Sequence, residues 1–283
     1  MPAAEFDAAI VGAGIAGASF AYTLAPHARV LLLEREAQPG MHSTGRSAAM
    51  FMETYGPPQV RALTRASRAW YQQPPAGFAE VPILSARGAL YVGRGNQQHT
   101  LDTMVRELSI SGRGFERLTA AECLQRVPVL RESGLLGGVL EADAMDIDVH
   151  ALHQGYLRGF KQQGGTLWCE AELNNAIASG GLWSLELADG RRVSCRTLVN
   201  AAGAWADDVA KRCGALPLHI QPKRRSAFTF PVPAGVNAHA WPTVADVEER
   251  WYFKPDAGQL LGSPANADPV PAHDVVPLSL IHI

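Results

Sequence analysis

The sequence has no apolar run long enough to cross a membrane. A spanning helix needs about 20 consecutive apolar residues, and the apolar stretches near the N-terminus are interrupted by glycines. The first residues also lack the basic side chains that open a secretion signal. We therefore predict a cytoplasmic protein without a transmembrane segment, and leave peripheral contact with a membrane open.

Cysteine is scarce, and neither sign of charge dominates. The net charge of −2 gives no indication of a nucleic-acid partner. No CxxC pair and no cluster with metal-ligand spacing occurs, which predicts free thiols and no metal site. The apolar fraction of 47% in 283 residues is typical of a globular protein with one large domain or two interleaved ones. The four cysteines are Cys123, Cys169, Cys195 and Cys213.

The first 34 residues predict a βαβ unit. Residues 6–11 form a short apolar run typical of a buried strand, residues 15–24 favour a helix, and residues 29–34 form a second apolar strand. This order predicts the start of a doubly wound, parallel sheet.

The turn of this unit reads GAGIAG, from Gly12 to Gly17. Gly12 permits a tight turn, Gly14 lets the backbone approach a pyrophosphate, and Gly17 lets the helix pack closely on the strand. Glu34 ends the next strand, where a carboxylate can accept both ribose hydroxyls. We predict a dinucleotide site, the alternative being a glycine-rich turn in an ordinary α/β protein.

Two later segments are rich in small residues. GMHSTGRSAA, residues 40–49, suits a backbone that wraps a large flat ligand, and Arg46 can neutralise phosphate charge. The alternative is a surface loop with a solvated arginine. NAAGAW, residues 200–205, is a strand end that turns into a helix and can approach a cofactor closely.

The remaining pattern mixes helices and strands. We predict helices at 59–73, 98–110, 119–127 and 146–163, with a capping box at Thr119 and an N-cap at Asp148. Short strands are predicted near 166–171, 182–187 and 192–199, and Asp189-Gly190 indicates a hairpin.

The segments GAGIAG, HSTGRSAA, NAAGAW and YFKPD, in this order, resemble the D-amino acid oxidase and glycine oxidase superfamily of FAD enzymes. EREAQPG, ALHQGYLRG, QPKRRSAF and LLGSPANADPV are most similar to the D-arginine dehydrogenase type within it. The resemblance covers nearly the whole chain, to about Asp274.

The resemblance implies an α/β (α+β) fold in which a Rossmann-like FAD-binding domain is interleaved with a β-rich substrate domain. We expect residues 1–80 and 143–212 in the first, and 81–142 and 213–283 in the second. The abrupt apolar tail at 278–283 predicts truncation at the C-terminus. The family's further residues supply a second carboxylate-binding arginine and a glycine-rich segment over the flavin, so an inactive fragment is an alternative.

The resemblance also implies the site. Tyr55, Arg225 and Tyr252 match substrate-binding positions, and Arg224 is the alternative to Arg225 because neighbours on a strand face opposite ways. The residues that match FAD-binding positions are Gly12, Ala13, Gly14, Ile15, Ala16, Gly17, Glu34, Arg35, Ser43, Thr44, Gly45, Arg46, Ser47, Ala48, Ala49, Ala171, Glu172, Ala201, Ala202, Gly203 and Trp205.

The implied reaction is oxidation of a D-amino acid. A hydride moves from Cα to flavin N5, and the imine then hydrolyses to a 2-oxo acid and ammonia. Another small amine or a hydroxy acid is an alternative substrate, and an NAD-dependent dehydrogenase would share the βαβ unit. Either oxygen or a quinone remains open as the electron acceptor.

Two positions depart from the D-arginine dehydrogenase pattern. Met50, followed by Met52, stands where that pattern has a histidine, and Ala89 stands where it has a pocket glutamate. An unpaired buried charge is costly, so we predict a preference for apolar or aromatic D-amino acids over D-arginine and D-lysine. Glu53 or Glu80 could supply a compensating acid.

Overall fold

A computed structural model describes residues 5–110 and 114–276. Pro58 opens the second helix at a position where its missing N–H costs nothing. Thr119 and Glu122 form the predicted capping box. The helices are α1 (Ile15–Leu24), α2 (Pro58–Gln72), α3 (Gln98–Ile110), α4 (Ala120–Arg126), α5 (Val149–Gln162) and α6 (Ala206–Arg212), with a 3₁₀ turn at Gly203–Trp205.

The strands are mostly short and are distributed along the whole described chain. Those in its first half are β1 (Phe6–Val11), β2 (Val30–Leu33), β3 (Met50–Phe51), β4 (Leu84–Ala86), β5 (Ala89–Arg94), β6 (Glu116–Leu118), β7 (Leu135–Glu141) and β8 (Met145–Ile147). Those that follow are β9 (Thr166–Trp168), β10 (Leu173–Ser179), β11 (Leu182–Leu187), β12 (Arg192–Asn200), β13 (Lys223–Arg224), β14 (Phe228–Phe230), β15 (Thr243–Asp246), β16 (Tyr252–Asp256), β17 (Gln259–Ser263) and β18 (Asp268–Pro269).

The first sheet has the strand order β10-β11-β12-β1-β2-β9. Strand β1 lies between β12 and β2 and is parallel to both, with Val11 paired to Asn200 on one side and to Leu33 on the other. The carboxyl ends of these three strands therefore meet at one edge, which is where open α/β sheets bind their ligands.

Both faces of this sheet are buried. Ile10 and Leu32 pack with Phe160 in a core that includes α1 and α5, and all three side chains are 0% exposed. Leu31 and Leu33 point to the opposite face and join a second core with residues of β10 to β12. Alternation along each strand thus divides the apolar run into two faces, which explains its near-continuous hydrophobicity.

The second large sheet has the order β14-β17-β16-β15-β5-β7-β6. Strands β5 and β15 are parallel neighbours, with Ala89 opposite Thr243. A small sheet, β3-β8-β4, pairs Met50 with Asp146, and β13 pairs with β18. The small sheet brings residues that follow the dinucleotide segment next to those that precede α5.

Three elements differ from the sequence predictions. The helix predicted at 146–163 begins at Val149, because Asp146 lies in β8 and pairs with Met50 and Ser85. Asp148 caps it as predicted, accepting a hydrogen bond from the N–H of Ala151 at 2.7 Å. The strand predicted near 166–171 ends at Trp168, and β10 was missed.

The mixed α/β class with parallel and antiparallel pairing confirms the predicted fold class. The domain boundaries stay a prediction, and the tail at 278–283 lies outside the described residues. No helix in the described ranges has the length and apolar character that crossing a membrane requires.

Candidate active site

The turn between β1 and α1 depends on glycine. Gly12 has a φ of +101°, and a side chain there would lie 2.5 Å from the carbonyl oxygen of Ala201. A methyl group on Gly17 would lie 1.8 Å from the carbonyl oxygen of Gly12. These close approaches set the N-terminus of α1 beside the end of β12. Free backbone N–H groups at such a helix end suit a pyrophosphate.

Glu34 follows β2 and is 8% exposed. One carboxylate oxygen accepts a hydrogen bond from the N–H of Ala13 at 3.1 Å, and the other accepts from the N–H of Glu36 at 3.0 Å. Each oxygen keeps a second lone pair. The carboxylate is therefore held rigidly and can still accept from hydroxyl groups.

A first cavity, of about 140 Å³, lies at the carboxyl ends of β1, β2 and β12. Trp205 forms part of its wall, with the guanidinium carbon of Arg35 4.0 Å from its ring and the His42 ring 4.6 Å away. Twelve predicted cofactor residues line this cavity: Gly12, Gly14, Glu34, Arg35, Ser43, Thr44, Ala171, Glu172, Ala201, Ala202, Gly203 and Trp205. Ala13, Ile15, Ala16 and Gly17 lie outside its lining, in the turn and α1 behind it.

Thr44 connects the second motif to the first. Its hydroxyl oxygen accepts a hydrogen bond from the N–H of Ile15 at 3.0 Å. The hydroxyl hydrogen is then free to be donated to an acceptor in the cavity, such as a phosphate oxygen. A side chain on Gly14 would lie 3.2 Å from this hydroxyl, so glycine keeps the contact open.

A second cavity, of about 710 Å³, adjoins the second large sheet. It is lined by the predicted substrate residues Tyr55, Arg225 and Tyr252, together with Met50 and Met52. Four predicted cofactor residues also line it, namely Arg46, Ser47, Ala48 and Ala49. The structure thus brings the predicted substrate residues together with the end of the cofactor segment.

A third cavity, of about 530 Å³, connects these two regions along the chain. It shares Gly40 and Thr44 with the first cavity, and Ser47 and Ala49 with the second. Gly45, also predicted to bind cofactor, lines it too. The segment 40–49 therefore borders all three cavities, which is the arrangement that an elongated ligand needs.

The two neighbouring arginines have different surroundings in the structure. Arg225 lines the second cavity. Arg224 lies in β13, outside that lining, and its guanidinium is 4.0 Å from the Asp268 carboxylate. Among the two, Arg225 alone is placed to bind a ligand there.

Ala89 lies away from the cavities. It is 2% exposed within the second sheet, between Glu141 and Thr243, and it is outside the lining of each of the three cavities described above. The compensating acids also lie elsewhere: Glu53 pairs with Arg68 at 2.5 Å, and Glu80 is outside the lining of the second cavity. The apolar part of the second cavity's lining comes instead from Met50, Met52 and residues of α2.

Sequence reasoning missed Lys254, which lines the second cavity. Its side chain is 6% exposed and donates to the carbonyl oxygen of Ala48 at 3.0 Å and to Asp146 at 2.8 Å. Arg87 donates to the other oxygen of Asp146 at 2.7 Å. The lysine of the YFKPD segment was the available signal, but its partners lie more than 100 residues away.

Two further cavity residues were missed, Glu249 and Tyr91. Glu249 sits in the turn before β16 with a φ of +56°, a conformation that ordinary residues rarely adopt. Burial raises the pKa of Tyr91 well above its ordinary value, and its hydroxyl contacts Thr54. Tyr91 is therefore a neutral hydrogen-bonding phenol at ordinary pH.

Glu36, His42 and Asp274 place ligand atoms within 4.8 Å of one another, beside the first cavity. Arg35 already forms ion pairs with Glu36, at 2.7 Å, and with Asp274. Hydrogen bonding from His42 and Arg35 lowers the pKa of Glu36. The chain's own guanidinium thus already pairs with both carboxylates of this cluster.

Residues 7–278 match the protein family described as FAD dependent oxidoreductase, DAO. The chain belongs to this family. Its cofactor is FAD, and the glycine-lined turn, the Glu34 carboxylate and the Thr44 hydroxyl fit the chemistry of that group. This family match confirms the broad prediction from the sequence motifs, that the chain is an FAD-dependent oxidoreductase of this family.

Solved structures of this fold superpose closely on the chain. Glycine oxidase from Geobacillus kaustophilus has a TM-score of 0.83 at 22% identity, covering 98% of this chain and 75% of its own. L-alpha-glycerophosphate oxidase from Mycoplasma pneumoniae, solved with FAD bound, has a TM-score of 0.80 at 17% identity, covering 91% and 71%. At these identities the likeness shows the fold alone.

Among curated proteins, an L-2-hydroxyglutarate dehydrogenase from Salmonella houtenae is 25% identical over 223 residues. The alignment covers 75% of this chain and 51% of that protein, so this FAD-dependent oxidoreductase chain spans about half the length of that relative. The narrower resemblance to the D-arginine dehydrogenase type is not supported by these relatives.

Proposed function

We propose that this chain forms the flavin site and most of the substrate cavity of an enzyme that oxidises the CH–NH₂ group of a D-amino acid. The observation that carries the proposal is the second cavity, where Arg225, Tyr55 and Tyr252 share one space with residues 46–50 of the flavin segment. A substrate held by the first three would therefore lie next to the cofactor.

Arg225 supplies the carboxylate clamp. A guanidinium offers two parallel N–H donors that match a carboxylate, and it is always protonated at ordinary pH. The phenols of Tyr55 and Tyr252 can add hydrogen bonds. Every 2-amino acid and 2-hydroxy acid carries this carboxylate, so the clamp defines the class but does not choose between amine and hydroxyl.

Glu249 supports an amine rather than a hydroxy diacid. Its carboxylate lines the same cavity as the cations Arg46, Arg225 and Lys254, so the cavity offers a negative group for a substrate ammonium as well as positive groups for the substrate carboxylate. A substrate with a second carboxylate, such as 2-hydroxyglutarate, would meet repulsion from Glu249. The D configuration rests on the resemblance of the sequence segments.

The cavity wall supports an apolar side chain on the substrate. Met50, Met52, Val60 and Leu63 line it, and the last two project from α2, where they are 44% and 69% exposed. Covering such exposed apolar side chains with an apolar ligand removes their surface from water, which favours binding. We infer a preference for branched or aromatic D-amino acids.

FAD, when bound, supplies the hydride acceptor. The chain's residues fix the substrate carboxylate and orient the Cα–H bond, which is how positioning lowers the barrier. The amine must be neutral before the hydride leaves. Tyr91 is ill-suited as its base, since its pKa lies far above neutrality, so prior loss of the proton to solvent is the simplest route.

The test is a substrate panel on the purified flavoprotein. D-Leucine and D-phenylalanine should give higher kcat/KM than D-arginine, the L-enantiomers or L-2-hydroxyglutarate. Arg225→Met should reduce kcat/KM about 10- to 100-fold through loss of charged hydrogen bonds. Arg224→Met, the adjacent residue outside the cavity, is the matched control and should retain activity. Turnover of the hydroxy acid alone would refute the proposal.

A further inference from the structure

His153 lies beneath the flavin-binding turn rather than in the cavity where substrate would bind. It projects from α5 and is 4% exposed. Its Nε2 lies 2.8 Å from the carbonyl oxygen of Ala13, inside the GAGIAG turn. A carbonyl can only accept, so Nε2 carries the hydrogen and donates it.

The same ring also contacts the second flavin segment. A side chain on Gly40, whose φ is +83°, would lie 2.9 Å from Cε1 and 3.0 Å from Nδ1 of His153. Gly40 opens the segment that carries Thr44, and the Thr44 hydroxyl returns to the N–H of Ile15. One imidazole thus touches both loops that border the first and third cavities.

The ring is held neutral. Burial lowers the pKa of His153, and the nearby His150 acts in the same direction, while the Ala13 carbonyl and Glu34 act against it. The neutral tautomer with its hydrogen on Nε2 leaves Nδ1 without a hydrogen on the side of Gly40. That side can therefore pack tightly against the glycine backbone.

We propose that His153 is a positioning residue for FAD, which sets the separation between the 12–17 turn and the 40–49 segment. Without its donor, the buried Ala13 carbonyl loses its partner and the turn can rotate away from the phosphate position. The residue touches neither the predicted substrate residues nor the second cavity, so its effect should fall on cofactor affinity rather than on substrate choice.

The experiment measures FAD binding to the apoprotein by quenching of flavin fluorescence. His153→Phe keeps the bulk but removes the donor, and should raise the Kd for FAD at least about tenfold. His153→Gln can place an amide N–H near the Nε2 position and should keep Kd within about threefold of the wild-type value. His99→Gln, at an exposed histidine on α3 outside the three cavities, is the matched control and should leave Kd unchanged.

Thermal unfolding of the same apoproteins separates positioning from simple packing. The proposal requires that the loss of FAD affinity follows the donor, with His153→Gln and His153→Phe differing in Kd even where their apoproteins melt together. Equal Kd values for these two variants, or a wild-type Kd in His153→Phe, would overturn it. If His153→Phe does not fold, His153→Asn, whose amide is too short to reach Ala13, takes its place with the same expectation.

Discussion

The ammonium of Lys254 lies 2.8 Å from the carboxylate of Asp146, and it also donates to the carbonyl oxygen of Ala48. These residues belong to β16, to β8 and to the flavin segment. The contact therefore ties the second large sheet to the loop that carries the cofactor, and it does so next to the substrate cavity.

Removal of Asp146 should destabilise the fold more than removal of Lys254. Asp146→Asn leaves the buried Lys254 and the half-buried Arg87 without their carboxylate, and should lower the free energy of unfolding by about 3–5 kcal/mol. Lys254→Met leaves Asp146 paired with Arg87 and should cost only about 1–3 kcal/mol. Urea unfolding measures both, with the exposed Lys223→Met as control. Equal losses would contradict this account of the network.

Gly17→Ala should abolish FAD retention. The added methyl would lie 1.8 Å from the Gly12 carbonyl oxygen, so α1 must move away from β1 and the turn must open. The ratio of flavin to protein absorbance after purification measures this. Gly114→Ala is the matched control, because its added methyl meets nothing within 4 Å. Full flavin content in Gly17→Ala would show that the turn tolerates the shift.

Stability should fall in mild acid because of His153. Its pKa in the folded protein lies below the ordinary value of 6.5, so the unfolded chain binds the proton more readily. The free energy of unfolding is then independent of this group well above pH 6.5 and decreases as the pH falls below it. His153→Gln should lack this component. Melting curves of both proteins between pH 8 and pH 5, compared pairwise, isolate it from Glu34 and His150.

A new acid in the cavity wall should change substrate preference. Met52→Glu places a carboxylate among apolar residues of the cavity. The side chain of D-arginine can pair with this carboxylate, whereas the apolar side chain of D-leucine would remove water from it without replacing its hydrogen bonds. The ratio of kcat/KM for D-arginine to that for D-leucine should rise at least about tenfold. Leu216→Glu, at an exposed residue outside the three cavities, should leave the ratio unchanged. An unaltered ratio in Met52→Glu would place the substrate side chain elsewhere.

Local signals predicted the local structure well. The glycine turn, the second strand and the Asp148 and Thr119 caps depend on residues within a few positions of each other, and the structure has them where the sequence indicates. Asp146 shows the limit of such signals. Its strand is set by pairing with Met50, nearly 100 residues earlier, which overrides the helical pattern that follows.

The cavity could be predicted only in part. Tyr55, Arg225 and Tyr252 were named through the resemblance, but the preference for Arg225 over Arg224 depended on which of them lines the cavity. Lys254 and Glu249 were missed because their surroundings arise from the pairing of β15 with β5, strands about 150 residues apart. Ala89 was assigned to the substrate pocket from its position in the sequence, but it is buried within the second large sheet and does not line the cavity.

The central claim is that Arg225 holds a D-amino acid against the flavin. Bleaching of the flavin absorbance without oxygen tests it most directly, because it needs no knowledge of the electron acceptor. D-Leucine should bleach the wild-type and Arg224→Met proteins, with a concentration for half-maximal rate that rises about 10- to 100-fold in Arg225→Met. Bleaching by L-2-hydroxyglutarate but not by any D-amino acid, or an unchanged response in Arg225→Met, would contradict the account.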